Sequence, residues 1–241
     1  MATVAARSPP AHPRETAPPP QALVTDKTQN ELLVVDLRTG RVVRRVALPP
    51  DPEDIAARAA GGDVVVVRAA GKVTVLDRDS LRPIRILAGL HSPHIPAISP
   101  DGRYAYVTDY ARGTVTAIDL ANMRVTSTIE VGAGAHHMSF SPDQSRVWVA
   151  LGESARTIVT LDTSDVAHPR VTGLDPGFAV HDLSFSPDGQ RVWVTAATES
   201  DASRTRRAAG LVRPARETAA GGRCAWSIWP PATREVAISA P

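Results

Sequence analysis

Three copies of one short pattern constrain this chain more than anything else in it. Ser99-Pro100-Asp101-Gly102 leads into the run Arg103-Tyr104-Ala105-Tyr106-Val107-Thr108-Asp109. Ser141-Pro142-Asp143-Gln144 leads into Arg146-Val147-Trp148-Val149, and Ser186-Pro187-Asp188-Gly189 into Arg191-Val192-Trp193-Val194-Thr195. The copies begin 42 and then 45 residues apart. A turn that feeds an alternating strand at a fixed period of this length is the signature of propeller blades. In a type I turn Ser suits the first position, Pro presets φ at the second and Gly suits the last. Gln144 replaces that Gly, so its turn is expected to be strained or of another type.

A second ladder runs in step with the first. Asp36, Asp77, Asp119 and Asp162 lie 41, 42 and 43 residues apart, each after an apolar run. An Asp there accepts backbone N–H groups and starts an Asx-turn. Arg41, Arg82 and Arg124 follow five residues later, with Ala167 in the fourth unit, and suggest an ion pair on the outer rim. Tyr106, Trp148 and Trp193 share one second-strand position, and period-2 alternation points all three into an inter-blade layer.

The expected fold class is therefore all-β: an incomplete β-propeller of four-stranded blades, about four blades plus part of a fifth, with essentially no helix. The propeller arc spans residues 21–200, with units at about 21–49, 54–90, 94–132, 136–174 and 181–200. The first unit has three strand-like runs and lacks its first strand. Residues 1–20 contain six prolines and read as an extended, poorly ordered leader. Residues 201–241 lose the period and read as a degenerate Arg/Ala/Pro-rich tail, as a truncation or frame change near residue 200 would leave. Within it, Val236 to Ser239 has the pattern of a first strand and is the one candidate to complete the first unit. An arc of blades leaves two apolar faces uncovered, so self-association through them is expected.

Charge narrows the partners. The net charge is +2, but residues 201–241 carry seven Arg against Asp201, Glu217 and Glu235, leaving the first 200 residues at −2. The basic balance belongs to the tail, and basic residues lack interleaved aromatics, so no nucleic-acid surface is expected. Cys224 is the single cysteine, which excludes an intramolecular disulfide and any cysteine-based metal cluster. No run approaches the ~20 apolar residues of a membrane span, and residues 1–20 hold no signal-peptide core. Sequence leaves the compartment open. It equally leaves open whether the partner is a protein or a small molecule.

Phosphate-binding glycine loops, nucleophile elbows, His-Glu-x-x-His and EF-hand loops are all absent. What remains is a set of matched histidines. His94, His136 and His181 each stand five residues before the turn Ser, at the entry to a first strand. First strands line a propeller's channel, so matched positions surround its mouth. The corresponding residues elsewhere are Asp54 and Arg234. Two readings stand. Each His is a hydrogen-bond partner that staples its own blade's loop, or the imidazoles converge on a transition metal, a haem iron or an anion. Inner strands of a seven-bladed ring would keep several His from sharing one ion at ~2.1 Å. His137 is expected to face away.

Ser-Pro-Asp-Gly followed by Tyr106-Val107-Thr108-Asp109, with a His five residues before the Ser, resembles the YVTN-type β-propeller repeat. The family's tetrapeptide ends in Asn where this chain has Asp109, and the resemblance covers about residues 22–198. It implies a ring, usually of seven blades, closed by pairing strands from the two termini. It also implies a commonly exported protein without assigned chemistry. Related propellers include the haem-binding domain of cytochrome-type nitrite reductases and sugar lactonases. The function expected is a non-catalytic binding or interaction scaffold without a cofactor. The alternatives are a haem- or metal-binding redox propeller using His94, His136 and His181, and a sugar-lactone hydrolase.

Overall fold

Alternating apolar runs cut by Asp, Gly and Asn can bury one face only by stacking sheet on sheet, and that is how this chain folds. A computed structural model describes residues 20–57, 64–68, 71–186, 188–189, 191–196 and 235–238. Among them the regular elements are β strands and one short 3-10 turn at Gly152–Ser154. The leader and most of the tail lie outside the described residues.

Five antiparallel sheets follow one another along the chain. The first holds β1 (Gln21–Asp26), β2 (Glu31–Asp36) and β3 (Arg41–Ala47). The second holds β4 (Pro52–Ala57), β5 (Val64–Arg68), β6 (Lys72–Leu76) and β7 (Pro83–Ala88). The third holds β8 (Pro93–Ile98), β9 (Tyr104–Asp109), β10 (Thr114–Asp119) and β11 (Arg124–Glu130). The fourth holds β12 (Met138–Phe140), β13 (Arg146–Ala150), β14 (Ile158–Asp162) and β15 (Val171–Leu174). The fifth holds β16 (Val180–Phe185), β17 (Val192–Ala196) and β18 (Glu235–Ile238). The first strands β4, β8, β12 and β16 pack side by side. This is a β-propeller of four-stranded blades; among the described residues the first blade has three strands and no innermost one.

One expectation changes. The segment around Val236 does not complete the first blade. β18 pairs with β17, with Thr195 opposite Glu235 and Val192 opposite Ile238, and so takes the third place in the fifth blade. A long insertion between second and third strands hides that place from any fixed period.

Two turn designs repeat. Ser99 Oγ donates to Asp101 Oδ1 at 2.6 Å while Tyr104 N donates to Ser99 Oγ at 3.0 Å. The same pair of bonds recurs at Ser141 and Ser186 with the same distances. The turn's last residue is left-handed in every copy: Gly102 at φ 74°, Gly189 at 69° and Gln144 at 64°. The strain expected at Gln144 is therefore present. In the second design an Asp closes a strand and the residue four later is left-handed, as at Asp36–Gly40, Asp77–Leu81 and Asp119–Met123. Asp36 Oδ1 accepts from Arg38 N at 2.8 Å and Asp162 Oδ1 from Ser164 N at 2.9 Å, the Asx-turn geometry. The rim ion pair at Asp36 forms with Arg38, 3.7 Å away, and Arg41 stands opposite in the ladder instead.

Packing between blades supplies the core. Tyr106, 2% exposed, meets Phe140 edge-on at 5.5 Å, and Trp148 meets Phe185 at 5.5 Å in the next layer. Val115, Ala117, Val147, Val149 and Leu161 fill the layer between the third and fourth blades. Trp193 holds the matching position in the fifth blade and is only half-buried. On the opposite end Val24 of the first blade is 45% exposed.

Candidate functional site

Regular pairing would alternate the first strands' side chains between the two inter-blade layers. Bulges break that alternation. The ladder between β8 and β9 skips from Pro93 to Pro96, and the ladder between β16 and β17 skips after Val180. A bulge adds one residue to one strand and re-aims its side chain. His94 and His181 sit in these bulges. The backbone groups the bulge frees are taken up by a threonine hydroxyl. Thr108 Oγ1 accepts from Ile95 N at 3.0 Å and donates to Ile95 O at 3.3 Å, and Thr195 Oγ1 accepts from Asp182 N at 3.1 Å. Thr108 is fully buried.

Asp109 fixes the approach. Its carboxylate accepts from His91 N at 2.6 Å, Ser92 N at 3.1 Å and Arg112 N at 3.1 Å. Three converging donors favour an acceptor-only side chain, which accounts for Asp at a position where the resembled repeat carries Asn. In the third blade, then, Asp109 and Thr108 staple the loop and the strand entry around His94.

In the fourth blade His136 N donates to Ala150 O at 2.9 Å and Ala150 N to His137 O at 2.8 Å, just ahead of β12. The loop before it is held by close backbone approach. A Cβ on Gly134 would lie 2.5 Å from Leu151 O, and a Cβ on Gly113 2.4 Å from Gly132 O.

The result is a cluster of four imidazoles from three successive blades. His94 Nε2 and His136 Nε2 are 3.0 Å apart. The ring of His136 lies 4.5 Å from that of His137 and 4.5 Å from that of His181, and His137 and His181 are 5.1 Å apart. His136, His137 and His181 each offer a nitrogen within 4.8 Å of the others. Tyr110 closes one side, its ring 5.8 Å from that of His136. Asp182 Oδ1 stands 3.4 Å from His137 Nδ1.

His94, His136 and His181 therefore do come together, nearer than a seven-bladed radius suggests. His137 faces into the cluster rather than away. The partner column is displaced by one residue: the bulge from Pro52 to Ile55 makes Glu53 the counterpart of His94, and Asp54 the counterpart of Ile95, His137 and Asp182. Glu53 is tied to Lys27. Arg234 lies outside the described residues. The column holding Asp54, His137 and Asp182 was the signal available in the sequence, hidden because alternation cannot register a bulge.

Electrostatics keep His136 and His137 neutral. Burial first, then the neighbouring His137, His94 and His181, push the pKa of His136 down to about 4. His137 is also lowered, by burial, against the pull of Asp182. Nδ1 of His136 is buried without a hydrogen-bond partner. A neutral imidazole with a free lone pair can ligate a transition metal or a metal-bearing cofactor.

Fold and cluster together define a β-propeller in which three successive blades bring four imidazoles together. A family model described as the cytochrome D1 heme domain matches residues 61–153. A dihydro-heme d1 dehydrogenase of Pseudomonas aeruginosa is 33% identical over 106 residues, 43% of this chain and 21% of that protein. The uncharacterized protein YncE of Salmonella typhi is 29% identical over 94 residues, 39% of this chain and 27% of that protein. The chain matches only about a fifth to a quarter of the length of these relatives. Among solved structures, Kuenenia stuttgartiensis hydrazine synthase shares the fold at TM-score 0.65 and 20% identity, over 77% of this chain and 59% of that one. A dihydro-heme d1 dehydrogenase in complex with DHE shares it at TM-score 0.59 and 19% identity, over 78% of this chain and 42% of that one. The fold is that of a β-propeller, and over part of its length the chain is similar to YncE and to the cytochrome D1 heme domain.

Proposed function

We propose that this propeller is a binding module that takes a haem-type iron tetrapyrrole at its channel mouth, with His94, His136 and His181 as the residues that would hold it. The observation that carries the reading is the Nδ1 atom of His136, buried, unpartnered and set among three other imidazoles. A buried polar atom without a partner costs ~1–3 kcal/mol unless something fills the role, and a metal-bearing ligand would do so. The likeness to the cytochrome D1 heme domain supports the same choice, since residues 61–153 include His94, His136 and His137.

When bound, such a group supplies a redox-active iron. The chain's own residues bind and orient. His136, held neutral, keeps a lone pair available at neutral pH. His137 is oriented by Asp182, and Tyr110 shields one flank. His181, exposed at the rim, is the first imidazole an entering ligand meets.

A titration with haemin tests the reading. A saturable shift of the Soret band at one equivalent is expected, weakened at least ~10-fold in His136→Ala and His181→Ala. Absence of a saturable shift, or an unchanged one in both variants, would leave the non-catalytic interaction scaffold as the better reading.

A further inference from the structure

The three nitrogens at the mouth match a simpler occupant as well. We propose that His136, His137 and His181 form a three-imidazole site for a bare divalent ion of the zinc or copper class, open to solvent at a fourth position. This inference is independent of a tetrapyrrole, and the two ligands would compete for one place.

The geometry comes first. The three donor nitrogens lie within 4.8 Å of one another. Nitrogens around one tetrahedral ion at ~2.1 Å stand about 3.4 Å apart, so rotamer shifts that close the set by up to about 1.4 Å complete it. His136 and His137 are held by the backbone bonds to Ala150, and His181 is carried by the bulge of β16. The site therefore draws on two neighbouring blades and exists only when they are stacked.

The groups behind the ligands fix the tautomers. Asp182 Oδ1 at 3.4 Å favours the proton on Nδ1 of His137 and leaves Nε2 as the lone pair. Between His94 Nε2 and His136 Nε2, 3.0 Å apart, one nitrogen must donate. If His136 donates, its buried Nδ1 becomes a lone pair with no protein partner. Both arrangements are the familiar one in which a metal-binding imidazole gives its other N–H to a carboxylate or a second acceptor. His94 is then a positioning residue. An all-imidazole donor set suits zinc, copper and their late first-row neighbours, while magnesium and calcium require oxygen ligands. The exposed edge at His181 leaves room for water as the fourth ligand.

Calorimetric titration of the full, metal-stripped chain with Zn2+ tests the proposal, with Co2+ absorption as a second readout. One equivalent is expected to bind, with the intense visible bands of tetrahedral Co2+. His181→Ala, at an exposed position that folding tolerates, should weaken Zn2+ by about 100-fold. His94→Ala should weaken it by ~10-fold without moving the Co2+ bands. His168→Ala, on a distant loop, serves as the control and should bind as the parent. No saturable binding at one equivalent, or equal binding by parent and His181→Ala, would overturn the site. Zn2+ binding without a haemin response upholds this site and removes the tetrapyrrole; haemin binding without Zn2+ removes this site and keeps the other.

Discussion

His94 Nε2 and His136 Nε2 lie 3.0 Å apart although 42 residues separate them, because each stands at the inner first strand of its blade, His94 in the bulge of β8 and His136 just ahead of β12. The contact crosses from one blade to the next at the rim of the channel. Repetition, which multiplies a residue, and bulging, which turns it inward, together convert a sequence repeat into a site.

Acid should weaken the fold in two separate windows. His136 has a folded pKa of about 4, below the ~6.5 of an unfolded histidine, so between these values the unfolded chain binds more protons. Stability is therefore full above pH ~6.5 and falls as pH drops toward 4. The turn carboxylates Asp77, Asp119, Asp143 and Asp162 are held below the usual range by hydrogen bonds from Ser80, Asn122, Ser141 and Ser164. Their contribution is lost only below pH ~4. Denaturant midpoints measured from pH 8 to 3 should show both falls, and His136→Asn should shrink the upper one, leaving the share of His137, without touching the lower. A midpoint level from pH 7 to 5 in the parent chain would count against a half-buried, neutral His136.

Replacing Gln144 by Gly should stabilise the fourth blade's turn. Gln144 is exposed and left-handed at φ 64°, where its matched residues Gly102 and Gly189 carry no Cβ. Relief of that strain is worth ~1 kcal/mol. A midpoint that falls in Gln144→Gly would mean that the side chain contributes more than its backbone costs.

Much of this architecture is legible in the sequence for a physical reason. Ser-Pro-Asp-Gly and the Asp ladder are local devices, each closing hydrogen bonds within five residues, so they survive as readable strings. Tyr106 and Trp148 are legible because alternation holds in β9 and β13. The site is less so. Matching Asp54 to His94 by distance from the turn misses by one residue because the second unit lacks the Ser-Pro-Asp-Gly turn that sets the count, and the inward turn of His137 leaves no mark in the repeat. The place of β18 depends on an insertion whose length no period encodes.

Thr108→Val should cost ~1–3 kcal/mol and disturb the site together. The hydroxyl is buried, and it satisfies both the N–H and the C=O that the bulge frees at Ile95. Valine keeps the volume and leaves both unpaired. Thermal unfolding should drop, and affinity for Zn2+ should fall with it. Unchanged stability would show that the bulge does not depend on Thr108.

Gly134→Ala should lower affinity for a ligand at the mouth more than it lowers stability. A Cβ there would approach Leu151 O to 2.5 Å and displace the loop that carries His136 and His137. Gly40→Ala, at a positive φ of 67° with nothing within 4 Å of its Cβ, serves as the comparison, since it strains a turn far from the cluster. Equal loss of affinity in both would contradict the loop's positioning role.

Convergence of imidazoles from three blades underlies both the proposed function and the metal site. It is tested most directly by long-range 1H–15N correlation of 15N-histidine-labelled protein, followed from pH 8 to 4. The account predicts a through-hydrogen-bond coupling between the Nε2 atoms of two histidines, and one imidazole, that of His136, neutral until about pH 4. Seven histidines that all titrate independently near pH 6.5, with no coupling between any two, would contradict it.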